Sequence, residues 1–136
     1  MRHLRPTSLA IAAAAIAIAA SGCGGDDTSS EDDVREAVTS FVEAGNDRDA
    51  EAVCGLVTKE QAETIAQASG GSCEAALEAV LGAADPAETE IVIEDVRVRG
   101  ERATVDATIK QGTESQAQSI SLIREDGEWR LTNPDL

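Results

Sequence analysis

The chain has 136 residues, with 26 Asp and Glu against 11 Lys and Arg, and therefore a formal charge of −15 at neutral pH. This charge counts against nucleic acid as a partner, because nucleic-acid binding depends on neutralising phosphates with Lys and Arg. It also counts against a peripheral grip on anionic lipid, which requires basic clusters. The only aromatic residues are Phe41 and Trp129. We therefore expect a small Ala-rich core that buries little apolar area per residue.

The first 22 residues have the pattern of a secretion signal. Residues 1–5 form a short basic segment. The uncharged run at 9–20 that follows is too short to span a bilayer, which takes about 20 apolar residues. The sequence ASGC that ends at Cys23 resembles a lipobox, in which small residues precede a cysteine that becomes diacylated, although Ala20 stands where Leu is usual. We expect residues 1–22 to be a signal peptide and Cys23 to be lipidated. Ordinary signal cleavage is the alternative.

The number of cysteines favours lipidation. An unpaired thiol is a liability in an oxidising compartment. If Cys23 carries lipid, Cys54 and Cys73 remain as one pair with a single connectivity. A zinc site takes four ligands and a redox motif takes Cys-x-x-Cys, whereas the only histidine, His3, falls in the predicted signal. A structural disulfide is therefore expected, with no metal and no cofactor.

Lipidation would place the domain at the outer face of the cytoplasmic membrane. Cleavage removes Arg2 and Arg5 and no acid, which changes the formal charge to −17. Two acyl chains give a durable anchor where one holds weakly. Residues 23–30 contain no apolar side chain apart from Cys23, and we expect them to form a flexible tether.

Residues 31–136 are long enough for one domain, and their first half predicts four helices. Apolar residues recur at helical spacing after each of four capping residues. The predicted caps are Ser30, Asp49, Thr58 and Ser72. In the fourth helix the predicted inward residues are Ala76, Leu77, Val80 and Leu81.

The second half alternates apolar and polar residues and predicts four antiparallel strands. The alternation changes phase at Glu94-Asp95, which indicates a bulge. A turn is expected at residues 99–102 and a longer polar turn at 111–115, and Asp126-Gly127 is a strong hairpin signal. Helices followed by a meander predict an α+β fold with the helices packed on one face of the sheet.

Few side chains could carry chemistry. With His3 discarded and Tyr absent, no imidazole or phenol is available as a base or an orienting group. Asp95, at the predicted bulge, is a weak candidate for a buried catalytic carboxylate, since most strand acids are exposed. Residues 47–58 begin like a calcium loop, but Ala52 stands where Gly is required.

Four segments together resemble a known family. The sequence reads FVEAGND at residues 41–47, AVCGLV at 52–57, GSCE at 71–74 and LIREDGEWRL at 122–131. This succession resembles small actinobacterial lipoproteins of the nuclear transport factor 2-like superfamily. The resemblance implies a curved sheet wrapped around helices, forming a cone that can hold a pocket. Enzymes of the superfamily commonly use an Asp with a Tyr or His. The predicted mature chain has neither partner, which counts against an isomerase or dehydratase.

Three functions remain open. The first is a non-catalytic binding or accessory domain for a small apolar ligand or a membrane-protein partner, with Phe41 and Trp129 as candidate pocket residues. Filling the core is the alternative role for both. The second is an enzyme that uses a buried carboxylate such as Asp95. The third is a spacer or assembly subunit that could form a homodimer through its sheet.

Overall fold

The computed structural model describes residues 26–84 and 87–132. The predicted signal peptide and Cys23 lie outside the described residues. Four helices precede one four-stranded antiparallel sheet, which confirms the predicted α+β class. The helices are α1 (Asp26–Asn46), α2 (Ala50–Leu56), α3 (Lys59–Ser69) and α4 (Cys73–Ala83). The strands are β1 (Thr89–Arg99), β2 (Arg102–Gln111), β3 (Glu114–Glu125) and β4 (Glu128–Leu131).

Helix α1 begins earlier than the sequence predicts. It starts at Asp26 rather than after Ser30, so residues 26–30 are helical instead of belonging to the tether. No Gly or Pro in this stretch interrupts the helix, and extending a formed helix costs far less than starting one. The rest of the predicted tether, residues 23–25, lies outside the described residues.

The caps predicted for the other three helices are confirmed. Asp49 accepts a hydrogen bond from the Ala52 amide (3.0 Å) at the start of α2. The hydroxyls of Thr58 and Ser72 accept equivalent bonds of 3.2 Å at the starts of α3 and α4. Each side chain satisfies an amide that the first turn of a helix leaves unpaired.

The inward face predicted for α4 is only partly correct. Val80 is 63 % exposed, and Cys73 is the one buried residue of the helix. The helix packs against α2 and α3 rather than across the sheet. Only a narrow strip of its surface is therefore covered, and Val80 lies outside that strip.

The sheet has the order β1-β2-β3-β4, with a register shift between Ile93 and Asp95 where the bulge was predicted. The β3–β4 turn places Asp126 and Gly127 at φ 54° and 83°, as a two-residue hairpin turn requires. The predicted long turn at 111–115 is wrong. Gly112, at φ 60°, makes a tight turn there, and the polar residues that follow belong to β3.

The concave face of the sheet is filled by side chains. Helix α1 packs across it, and Val34, Val38, Val105, Ile120 and Leu131 are all 0 % exposed. Among the described residues, side chains therefore occupy the concave face, where the resemblance allows a pocket. Among these residues, no helix combines the length and apolar content that a membrane crossing requires.

Candidate functional site

A cleft lies where α1, α2 and β4 meet. Its volume is about 660 Å³. Ala37, Ala52 and Leu56 form an apolar part of its wall, and Trp129 adds an aromatic surface. The remaining lining residues are Asp33, Glu36, Ser40, Gly55, Gly127, Glu128 and Arg130. An apolar wall with a few polar groups is the usual composition of a small-molecule site.

Trp129 belongs both to this cleft and to the core. Its exposed fraction is 6 %, and its indole Nε1 is buried without a hydrogen-bond partner among the described residues. The guanidinium of Arg124 lies 4.8 Å from the centre of the indole ring, within range of a cation–π interaction. A buried N–H donor that lacks a partner is costly for the fold. Because this nitrogen is itself buried, Trp129 contributes ring surface to the cleft rather than an open hydrogen-bond donor.

Phe41 does not accompany Trp129 in the cleft. It is 9 % exposed, lies within the hydrophobic core and is not among the residues that line the cleft. Phe41 therefore fills the core, its alternative role, and of the two candidate pocket residues only Trp129 lines the cleft. The inward face of α1 turns Phe41 towards the sheet, whereas the cleft lies along the adjacent face of the helix, on which Asp33, Ala37 and Ser40 recur.

Arg130 holds the rim of the cleft together. Its guanidinium donates to the carbonyl of Gly55 in α2 and to Glu128 Oε2 (2.7 Å) in its own strand. The side chain is only 19 % exposed, and its Nε is buried without a partner in the described part of the chain. The arginine therefore fixes the distance between α2 and β4, which sets the width of the cleft.

Solved structures with the same arrangement are known. An NTF2-like protein of unknown function from Shewanella baltica OS155 superposes with a TM-score of 0.55 at 12% identity, over 77% of this chain and 90% of its own. A putative dehydratase from the NTF2-like family of Streptomyces avermitilis gives 0.52 at 19% identity, over 76% and 91%. The fold is NTF2-like. At these identities the likeness concerns the fold alone. No family model and no curated protein sequence matches the chain.

Within this NTF2-like fold, the predicted disulfide between Cys54 and Cys73 is present, with 6.2 Å between the two Cα atoms. It joins α2 to the first residue of α4. Because Gly55 and Leu56 of α2 line the cleft, the bond holds α4 against the far side of a cleft wall. No group of three or more His, Cys, Asp or Glu in the described residues is arranged to hold a metal ion.

Asp95 is not a buried carboxylate. Its side chain is 58% exposed on the outer face of the sheet, 3.6 Å from the Nε of Arg97. The extra residue of the bulge is Glu94, so the strand regains its alternation with Val96 inward and Asp95 outward, opposite Asp106. Arg97 also pairs with Asp106 at 2.6 Å. The hypothesis of an inward Asp95 is therefore wrong.

An ion pair between the start of α3 and the β3–β4 turn shifts the pKa of both of its groups. Lys59 Nζ lies 2.7 Å from Asp126 Oδ2. The hydrogen bond from Lys59, followed by its charge, holds the pKa of Asp126 below 3.8, and the same contact raises the pKa of Lys59 above 10.5. The pair joins the start of α3 to the turn. Because both groups are exposed, it adds little stability and does not form a reactive site.

Proposed function

We propose that this chain is a lipoprotein anchored at the outer face of the cytoplasmic membrane, and that its folded domain binds a small ligand without catalysing a reaction. The observation that carries the binding role is the cleft between α1, α2 and β4, in which Trp129 stands beside the apolar side chains of Ala52 and Leu56. A ligand with an apolar body would cover that part of the wall.

The charges around the cleft narrow the class of ligand. Asp33, Glu36 and Glu128 carry three negative charges, and Arg130 contributes the single positive charge among the lining residues. Its guanidinium is already engaged by Glu128 and Gly55. An anionic ligand would meet repulsion, because like charges at short range disfavour binding. The favoured ligand is neutral or cationic, with an apolar part about the size of a few rings or a short chain.

The residues around the cleft favour binding over chemistry. The described chain has no His and no Tyr, and the acids that line the cleft are solvent-exposed. Ser40 is the one hydroxyl in the lining, and a serine nucleophile needs an adjacent base to remove its proton. Asp95, the one carboxylate named as a candidate catalytic group, lies exposed on the outer face of the sheet. The enzyme hypothesis is therefore the weaker of the two.

The lipid anchor rests on Cys23 and on the pairing of the other two cysteines. Cys54 and Cys73 are bonded to each other, which leaves Cys23 without a disulfide partner in its own chain. An anchored domain on a short tether would capture its ligand close to the membrane. A membrane protein that delivers or receives this ligand is the partner that such a position favours.

Native mass spectrometry of the protein purified from its own host in mild detergent tests the ligand. The expected result is a retained small molecule that is lost in Trp129→Phe, which reduces the aromatic surface of the cleft wall, and that is kept in the core control Phe41→Leu. Absence of any bound molecule, together with unchanged thermal stability when lipid and metabolite extracts are added, would overturn the binding role.

The anchor is tested separately. The wild-type protein should sediment with membranes and carry a diacylglycerol mass on its N-terminal peptide, whereas Cys23→Ser should be released. A wild-type N-terminus without lipid would disprove the anchor and leave the binding role standing.

A further inference from the structure

The first half of β1 presents an open edge of the sheet. Asn46, the last residue of α1, binds both backbone groups of Thr89. Its Nδ2 donates to the Thr89 carbonyl, and its Oδ1 accepts from the Thr89 amide, both at 2.8 Å. In an antiparallel strand the N–H and C=O of one residue point to the same side. Because Asn46 of α1 binds both groups of Thr89, that side faces away from β2. The alternation along the strand then places the backbone groups of Ile91 and Ile93 on that same outer side.

This open edge is short and has defined ends. Asn46 occupies the position that a neighbouring strand would take beside Thr89, and the bulge at Glu94 interrupts the strand at the other end. Between these ends, Ile91 and Ile93 offer two amides and two carbonyls, and the described residues supply no partner for them at this edge. Exposed groups of this kind are a template for an added strand.

A groove runs beside the edge. Its volume is about 420 Å³, and it is formed by the last turns of α1 and by residues 88–92. Val42 and Val92 contribute apolar surface, and Val92 is 44 % exposed, one of two large hydrophobic residues that are exposed in the described chain. An extended segment laid along β1 would cover this surface with every second side chain.

The charge of the groove indicates what the added segment carries. Glu43, Glu88 and Glu90 line it, all are exposed, and no Lys or Arg is among the lining residues. Lys110 stands opposite Glu90 in the β1–β2 register. Glu43 and Glu88 have no cation opposite them in that register. Basic side chains on the incoming segment would supply the missing charge.

A second copy of this chain fits the edge poorly. Antiparallel pairing of two β1 strands centred on Ile91 would place Glu88 of each copy opposite Glu94 of the other, which gives two Glu–Glu pairs. Like charges directly opposite each other destabilise a strand pair. The same register would also require Thr89, whose backbone groups are already bonded to Asn46.

We propose that the β1 edge at Ile91 and Ile93 binds a short extended segment of a partner protein that carries basic residues, added as a fifth strand. The proposal does not depend on a ligand in the Trp129 cleft, which lies beside β4 at the other edge of the sheet. Four backbone hydrogen bonds and a few exposed ion pairs correspond to a dissociation constant of about 10 µM to 1 mM.

A capped peptide with the sequence Lys-Thr-Val-Thr-Val-Thr-Lys, titrated into the folded domain and followed by amide NMR, tests the mode of binding. Chemical-shift changes should centre on Ile91 and Ile93. The same peptide N-methylated at its five central residues keeps its charge and side chains but loses its donors, and should bind at least tenfold more weakly. Equal affinity for the two peptides, or shift changes centred elsewhere, would refute strand addition.

Charge-changing variants test the chemistry of the partner. Glu43→Gln/Glu88→Gln/Glu90→Gln should weaken binding of the Lys peptide about fivefold to tenfold at low salt. The matched control Glu60→Gln/Glu63→Gln/Glu78→Gln makes the same change in net charge on α3 and α4 and should stay within twofold of wild type. A peptide with Glu in place of both Lys that binds equally well would overturn the basic partner, and no binding by either peptide up to 1 mM would overturn the site.

Discussion

Replacing Cys54 and Cys73 together with Ala should lower the free energy of unfolding by about 3 kcal/mol at 25 °C. The two cysteines are 19 positions apart. In the chain-entropy model a cross-link of this span removes conformations of the unfolded chain worth about 3 kcal/mol. A domain of this size is stable by about 5–15 kcal/mol, so the variant should remain folded with a reduced margin.

The loss should not be uniform across the structure. Cys73 is the one buried residue of α4, and α3 has none. With so little buried apolar area, the two helices depend on the disulfide to stay against α2. Amide hydrogens in α3 and α4 should therefore exchange faster in the variant, whereas those of β2 and β3, which surround Ile120 and Val105, should change only through the global loss of stability.

Urea denaturation followed by circular dichroism measures the global change, and hydrogen exchange with mass spectrometry measures the local one. Wild-type protein treated with a thiol reductant serves as the matched control and should unfold close to the urea midpoint of the variant. A loss below about 1 kcal/mol, or faster exchange that is as large in β2 and β3 as in α3 and α4, would refute the role given to the disulfide.

Further substitutions test three separate features. Lys59→Ala should raise the pKa of Asp126 towards 3.8, as measured by carboxyl NMR titration, because its hydrogen-bond donor and facing charge are removed. Since the folded pKa is lowered, the stability that Asp126 contributes is present above its unfolded pKa and is lost as the pH falls through the folded value. Asp126→Asn should abolish this contribution to the pH dependence of stability. Gly127→Ala should cost about 1 kcal/mol, because the residue sits at φ 83°, and an unchanged urea midpoint would contradict it. Ile120→Ala should cost about 2–5 kcal/mol in the same assay, and a smaller loss would show that the filled core is loosely packed.

Local signals predicted most of the fold. A cap works through contacts within a few residues, so Asp49, Thr58 and Ser72 could be assigned from sequence alone, and the structure shows each bond. The bulge at Glu94 was equally visible, because inserting a residue shifts the period of two. The errors came where no local rule applies. Polar residues can lie in a turn or on an exposed strand end, which is why the turn after β2 was predicted too long.

The candidate site was harder to predict because it depends on contacts between distant segments. Trp129 stood out as one of two aromatics, but its position beside α2 follows from how β4 packs. The role of Arg130, which joins β4 to the Gly55 carbonyl across a separation of 75 residues, has no signal in the sequence. Asn46 is a similar case: it reads as a helix terminator, and only the packed structure shows that it covers the backbone of Thr89.

Because the concave face is filled, both of the proposed recognition surfaces of this NTF2-like domain lie on the flanks of α1, and this leads to a last prediction. Residues of α1 line both clefts: Asp33 and Ser40 belong to the cleft at β4, and Thr39 and Asn46 belong to the groove at β1. Val34 and Val38, both 0 % exposed, fix the helix against the sheet between them. A helix held in this way transmits little movement, so filling the first cleft with Ala37→Leu should leave the affinity of the Lys peptide within threefold of wild type. Coupling between two sites is a measurable free energy; a tenfold change in peptide affinity would show that α1 shifts as a body and that the two surfaces act as one site.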